Sequence, residues 1–315
     1  MKIQLRILMT GAGGPSTEAI LKLWSPKHEL FFTDAKIDSI TPQVSSDKSF
    51  FVPYATDKQF LQSIIDLTTR LQIDILISQV DEELPLLAGN RKLFNPTLLL
   101  VPDENFINLF LDKLQSGIKM NENKILEPRT KVLNNESKFE GLPVIFKPCF
   151  GRGSRSIFHA ETQKEFEALK NYLLTQEELF ITQQKIHGDE YSVQVLANSN
   201  GILKGITPIL IKGKRGSTTS GVVSNNRDVI KACLNFHQVF KTSGTYNIQL
   251  MLNKDQAYIF EVNPRVSTTM CVSLFGGSDP VDIYFDNGNE ENIKYLLEGT
   301  KLQRHWNHTF SMNGN

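Results

Sequence analysis

The sequence predicts an N-terminal α/β domain followed by a larger α+β domain, on three observations. Up to about residue 100, short apolar runs alternate with patterns of helical spacing. Past about residue 105, the strand patterns come in pairs joined by turns. The chain has 315 residues, 40% apolar and 22% charged, which suits about two domains, each able to bury a core.

The elements follow in order. Ile3–Met9 reads as a short strand, Gly11-Ala12-Gly13-Gly14 as a turn, and Ser16–Leu23 as a helix with Ala19, Ile20 and Leu23 on one side. Glu29–Thr33 is a second strand ending at Asp34, and Lys58–Leu71 an amphipathic helix. Next come the strand IDILIS, a helix over DEELPLLAGNRKLF and the strand TLLLV before Pro102. Strands separated by helices of this length imply a parallel sheet covered on both faces. In the second region, Glu104–Lys119 and Thr162–Thr175 are helices. LPVIFKP pairs with SRSIFHA, EYSVQVLAN with GILKGITPI, and YNIQLML with AYIFEVN around Asn253-Lys254-Asp255.

Composition excludes several classes. With 34 Lys+Arg against 34 Asp+Glu the formal charge is zero, which argues against a dedicated nucleic-acid binder. The longest apolar runs, around Ile73–Ile77 and Leu98–Val101, suit buried strands and not a membrane span. The N-terminus reads as a strand and not a signal peptide, so the expected compartment is the cytoplasm. Cys149, Cys233 and Cys271 are widely spaced and odd in number, which implies no disulfide framework or cysteine-rich metal site.

Four segments carry chemistry. The first is Gly11–Gly14 with Asp34 after the second strand. It approaches the dinucleotide fingerprint G-x-G-x-x-G, with Ser16 in the third glycine position, but reads first as a plain tight turn. The second runs from Lys147 through Gly151, Arg152, Gly153 and Ser154. A lysine ending a strand ahead of a glycine-rich loop offers a point charge and unobstructed N–H groups, both of which polyphosphate needs. It is not a Walker A loop, and a basic hairpin turn answers the same pattern. The third is Gln183–Glu190, an extended hinge able to offer main-chain groups to an adenine edge, with Glu190 within reach of a ribose; a solvated turn fits it too. The fourth is Glu261-Val262-Asn263-Pro264-Arg265. Period-two alternation places Glu261, Asn263 and Arg265 on one face, with Gln249 about opposite Glu261. A carboxylate beside an amide oxygen is a hard ligand pair for Mg²⁺, and Arg265 can neutralise a phosphoryl group in transfer.

Taken in this order, the segments resemble the ATP-grasp superfamily. The likeness is specific to one synthetase half of the carbamoyl-phosphate synthase large subunit and to stand-alone pyrrolysine-biosynthesis-type ligases. GTYNIQLMLNKDQAYIFEVNPRVSTT is similar to that group's closing hairpin, LDKLQSG to the start of its first lobe and PVIFKPCFGRGSRSI to its phosphate loop. The resemblance implies a preATP-grasp (Rossmann-like) domain over residues 1–105 and an ATP-grasp domain over 106–290. The latter would have a first lobe of about 106–180 and a second of about 181–290, with a C-terminal segment over 291–315.

Residue by residue, the resemblance implies that Lys113 and Lys147 hold ATP phosphates under a lid of Gly151, Arg152, Gly153 and Ser154. Gln184, where the family usually has Glu, and Ile186 would meet adenine through their main chains, and Glu190 the ribose. Gln249, Glu261 and Asn263 would hold Mg²⁺, with Mn²⁺ as a substitute, and Arg265 with Lys147 would serve the transfer. Lys214 and Arg215, in the basic loop Lys212–Thr218, would sit over phosphate and the second substrate, together with Arg265. The implied activity is ligation of a small-molecule carboxylate to an amine through an acyl-phosphate, with release of ADP and phosphate. No nucleic-acid or membrane partner is implied, and a homo-oligomer is compatible. Two other readings stay open: a nucleotide-binding protein without ligase activity, and an NAD(P)-dependent oxidoreductase using Gly11–Gly14 and Asp34. His187 and His237 read as hinge and helix-face residues, and the histidines of His305-Trp306-Asn307-His308 as part of a packing tail.

Overall fold

A computed structural model of the chain describes residues 4–151, 153, 156–288, 290 and 292–305. The N-terminal domain is the expected covered parallel sheet. Its strands are β1 (Arg6–Thr10), β2 (Glu29–Asp34), β3 (Ser49–Phe51), β4 (Ile75–Ile77) and β5 (Leu98–Leu99), and its spatial order is β3-β2-β1-β4-β5. Helices α1 (Thr17–Trp24), α2 (Phe60–Arg70) and α3 (Leu84–Gly89) join them. The faces separate by alternation: Ile7 and Met9 pack with Trp24, while Leu8 packs with Phe60 and Ile64. The strand order reverses between β1 and β4, so the loops after these two strands frame a crevice at their carboxyl ends.

Two expected helices are interrupted. The segment Asp81–Phe94 divides into a 3₁₀ turn over Asp81–Glu83, α3, and a second 3₁₀ turn over Arg91–Phe94. The helix expected over Glu104–Lys119 breaks into α4 (Glu104–Leu111) and α5 (Lys113–Glu122). At the break, Asp112 takes an extended conformation and its carboxylate accepts from the N–H groups of Leu114 and Gln115. It caps a new helix where apolar periodicity alone suggests a continuous one.

The second region carries two antiparallel sheets. One has the order β6-β9-β7-β8, built from β6 (Thr130–Val132), β7 (Val144–Pro148), β8 (Phe158–Ala160) and β9 (Phe180–Gln184), with α6 (Gln163–Leu173) packed on it. The other has the order β14-β13-β10-β11-β12-β15. Its strands are β10 (Asp189–Ala197), β11 (Leu203–Arg215), β12 (Ser217–Val223), β13 (Gly244–Asn253), β14 (Gln256–Asn263) and β15 (Lys301–Gln303). Helix α7 (Arg227–Val239) covers one face, burying Tyr246, Ile248 and Leu250. The three hairpins read from the sequence pair as expected. Lys212–Thr218 differs: β11 and β12 run to either side of Gly216, so it is the tip of a long hairpin. His237 lies buried in α7, bonded to the Tyr246 hydroxyl and the Gly201 carbonyl, and the three cysteines are buried free thiols.

After β14 the chain returns to the first domain. Val266 and Met270, with Leu274 of α8 (Met270–Phe275) and Val281 of α9 (Pro280–Tyr284), share one core with Ile7, Met9 and Trp24. The Trp24 indole N–H donates to Asp279 Oδ2 at 2.8 Å across this junction. Among the described residues, no helix is long and apolar enough to cross a membrane.

Candidate active site

The three sheets enclose a cavity of about 1140 Å³, above the usual range for one small ligand and large enough for two substrates. Lys147 reaches it by alternation along β7, because Phe146 faces the core of the small sheet and leaves its neighbour to the cleft. Its Nζ donates to the Phe260 carbonyl at 3.1 Å. Only 4% of the residue is exposed, and burial pushes its pKa down to about 8. Glu261 opposes that shift, while Lys113 and Lys214 reinforce it. Nearby Glu127 is pushed above the usual carboxylate range by burial.

The acceptor of the Lys147 bond exists because β14 contains a bulge. Gln249 pairs with Glu261 and Leu250 with Ile259, so Phe260 is the extra residue. Ala257 and Ile259 face the apolar core, and strict alternation would send Glu261 and Asn263 there too. The bulge reverses the parity: Val262 turns inward, and Glu261 and Asn263 face the cavity. β13 is regular, so Asn247 and Gln249 line the same cavity wall.

The helix break at Asp112 serves the same site. It starts α5 at Lys113, whose Nζ lies 3.9 Å from Glu261 Oε1 and donates to the Gly151 carbonyl at 2.6 Å. Gly151 and Gly153 both have positive φ, and a methyl group on either would meet nothing within 4 Å. Arg152 and Ser154 lie outside the described residues. At the other end, Gln184, Ile186 and Glu190 line the cavity. The Gln184 N–H donates to the Arg129 carbonyl at 3.0 Å, and Glu190 pairs with Lys214 at 2.6 Å. Arg215, at the hairpin tip, is not among the lining residues.

Arg265 also lines the cavity, and its guanidinium is held across the domain boundary. Nε pairs with Asp81, Nη1 donates to the Val266 carbonyl at 3.1 Å and Nη2 to Asn263 Oδ1 at 3.3 Å. Sequence reasoning missed Asp81, whose role depends on a contact 184 positions away, and it missed the Phe260 carbonyl, which depends on the bulge.

The first glycine turn borders the far end of the cavity. Asp34 accepts from the Gly13 N–H and the Lys36 N–H, each at 2.9 Å. Each carboxylate oxygen thus accepts one bond inside the turn. Ser16, in the third glycine position, donates from its hydroxyl to Gln79.

The arrangement gathers Lys113, Lys147, Lys214 and Arg265 around Glu190 and Glu261, which suits an anionic ligand accompanied by a cation. The donor set Gln249, Glu261 and Asn263 fits Mg²⁺: all can offer oxygen, with one carboxylate, and Mg²⁺ commonly completes its shell with phosphates and water.

Comparison with known proteins identifies the two domains. A profile of the ATP-grasp domain matches residues 110–269, and one of the PylC-like N-terminal domain matches residues 7–98. Tyramine–L-glutamate ligase of Methanocaldococcus jannaschii is 28% identical over 139 residues, covering 40% of this chain and 42% of that one. D-alanine–D-alanine ligase of Corynebacterium jeikeium is 28% identical over 99 residues, 31% of this chain and 26% of that one. The matches thus span less than half the length of either relative. Among solved structures, an ATP complex of carboxyaminoimidazole ribonucleotide synthase from Aspergillus clavatus superposes with a TM-score of 0.72 at 10% identity, covering 94% of this chain and 81% of that one. With its profile spanning half of the sequence and the fold continuous with it, the chain belongs to the ATP-grasp family.

Proposed function

We propose that the chain is an ATP- and Mg²⁺-dependent carboxylate–amine ligase working through an acyl-phosphate, with residues 1–105 as its preATP-grasp domain and 106–290 as its ATP-grasp domain. The observation that carries the reading is the convergence of Lys147 and Lys214 with Glu261 and Asn263 on one cavity, with Lys113 Nζ 3.9 Å from Glu261 Oε1. Adenine would lie against the Gln184 carbonyl and the Ile186 N–H, which supply an acceptor and a donor to its edge, and Glu190 would take the ribose. Lys113 and Lys147 neutralise the phosphates, with Gly151, Arg152, Gly153 and Ser154 closing over them. Glu261, Asn263 and Gln249 would hold Mg²⁺, which would neutralise phosphate charge when bound.

The substrate carboxylate would attack the γ-phosphorus beside Arg265, breaking the bond to ADP. The amine nitrogen then attacks the acyl carbon, loses a proton and expels phosphate. Positioning and charge neutralisation suffice for both steps. The second substrate would fill the end of the cavity framed by the loops after β1 and β4, near Glu82, Glu83 and Thr268. Lys214, which pairs with Glu190, and Arg215 would serve as cations over phosphate and the second substrate.

The activity is tested by ADP release from the purified chain with amino acids and amines offered in pairs, beside an arm with bicarbonate and ammonia. Release dependent on a carboxylate and an amine, with bicarbonate inert, is the expected result. Efficient carbamoyl phosphate formation would overturn the stand-alone reading, and ATP binding with no release by any pair would mark a binding protein.

A further inference from the structure

We propose that Asp81, in the turn after β4 of the N-terminal domain, is a positioning residue for phosphoryl transfer: it fixes the Arg265 guanidinium and, through it, the Asn263 side chain. The proposal rests on the ligase reading above. A guanidinium is a planar fork, so contacts along its Nε, Nη1 and Nη2 edges leave it one orientation. Here those contacts are Asp81, the Val266 carbonyl and Asn263 Oδ1. Both members of the ion pair are largely withdrawn from water, with side-chain exposures of 14% and 12%, so solvent screens the pair weakly.

Two features make the contact rigid. Val266, next to Arg265, enters the core shared with the N-terminal sheet and pins the arginine at the domain junction. On the other side, Glu83 anchors the turn that carries Asp81. Its carboxylate accepts from the Ser78 hydroxyl at 2.7 Å and from the Thr10 hydroxyl. Asp81, Lys113, Glu261 and Asn263 also line a second, smaller cavity of about 140 Å³, so the acid stands close to the proposed cation site.

The functional consequence follows from hydrogen-bond chemistry. An amide oxygen has two lone pairs. The Arg265 Nη2 donor engages Asn263 at its oxygen, which sets the amide orientation and leaves the second lone pair for a cation. Without Asp81, the guanidinium loses its anchor and both the transfer cation and the Asn263 oxygen lose their fixed positions.

The test uses the full chain with Asp81→Asn, Asp81→Glu, Arg265→Gln and the double variant Asp81→Asn/Arg265→Gln. The measurements are kcat, KM for ATP, ATP affinity without acceptor, and the Mg²⁺ concentration for half-maximal turnover. Asp81→Asn is expected to lower kcat by about tenfold or more, as displacements near 1 Å do at such centres. ATP affinity and KM should stay within about twofold and the Mg²⁺ requirement should rise, with Asp81→Glu recovering part of kcat. The double variant should be no slower than Arg265→Gln alone, because both changes break one unit. A wild-type kcat and Mg²⁺ requirement in Asp81→Asn would overturn the proposal, as would additive losses in the double variant. If Asp81→Asn does not fold, Asp81→Glu decides alone: reduced kcat with unchanged KM for ATP supports the role, and wild-type kcat overturns it. Full kcat in Arg265→Gln would instead strike the role of Arg265 in the ligase reading itself.

Discussion

The molecule contains two glycine-rich loops that follow strands, and they use glycine for opposite reasons. In the first, Gly11–Gly14, the main-chain donors are consumed locally: Ala12 donates to Thr33, Gly13 to Asp34 and Gly14 to Gly11. A methyl group on Gly13 would lie 2.1 Å from Ser39 Oγ, and one on Gly11 2.6 Å from Val80 Cγ2. In the second, Gly151 and Gly153 have positive φ with open space around them, and Lys113 holds the Gly151 carbonyl. The first loop is closed and packed, whereas a side chain at Gly151 or Gly153 of the second would stand in open space. A glycine motif therefore reports function only when the destination of its N–H groups is known, and in the first loop those of Ala12, Gly13 and Gly14 are spent within the N-terminal domain.

The largest effect that sharpens this contrast comes from the site beyond the second loop. Glu261→Gln should lower turnover by about 10²-fold or more while circular dichroism and melting temperature stay near wild type, since the side chain is a half-buried pocket residue. Raising Mg²⁺ should recover part of the loss. Next, Gly13→Ala should cost about 1–3 kcal/mol through overpacking against Ser39, lowering the melting temperature by several degrees with ATP affinity retained. Gly153→Ala should reverse that pattern, slowing turnover with little change in melting temperature; a melting loss as large as that of Gly13→Ala would erase the distinction. The smallest effect is in pH. Lys147 has its pKa lowered to about 8, so its ammonium is present below that pH and is lost as pH rises through it. ATP affinity should weaken above about pH 8 by at most about tenfold per unit, and Lys147→Met should flatten the profile. The sign for stability is opposite: the buried charge costs stability below pH 8, and the unliganded chain gains from this group as pH rises from 8 toward the ordinary lysine value.

The sequence made legible what local pattern controls. Alternation along LPVIFKP put Lys147 opposite the core-facing Phe146, and the turn around Asn253-Lys254-Asp255 set the pairing of β13 with β14 as far as Leu250 against Ile259. It did not reveal features in which tertiary contact overrides pattern. The bulge at Phe260 is invisible because Ala257, Ile259, Glu261 and Asn263 share one parity in an unbroken strand, and the assumed face for Glu261 was right only because the bulge reverses it. The break at Asp112 interrupts a continuous apolar period through a side-chain cap. Asp81 looked like one of several acids opening a helix, and only the fold joins it to Arg265. The hairpin tip at Gly216 likewise depends on pairing that a run of charged residues does not announce.

The central claim is that nucleotide binds in the ATP-grasp cleft through Lys147 and not at the first glycine turn. Calorimetric titration of Mg·ATP into the wild type, Lys147→Ala and Asp34→Asn tests it directly. Removing the buried ammonium should weaken binding by about tenfold or more in a chain that still folds, because clustered phosphate oxygens lose a charge-assisted donor. Asp34→Asn, acting on a turn closed upon itself, should bind ATP within about twofold of wild type even if its melting temperature falls. Near-wild-type affinity in folded Lys147→Ala, or a larger loss in Asp34→Asn, would contradict the claim.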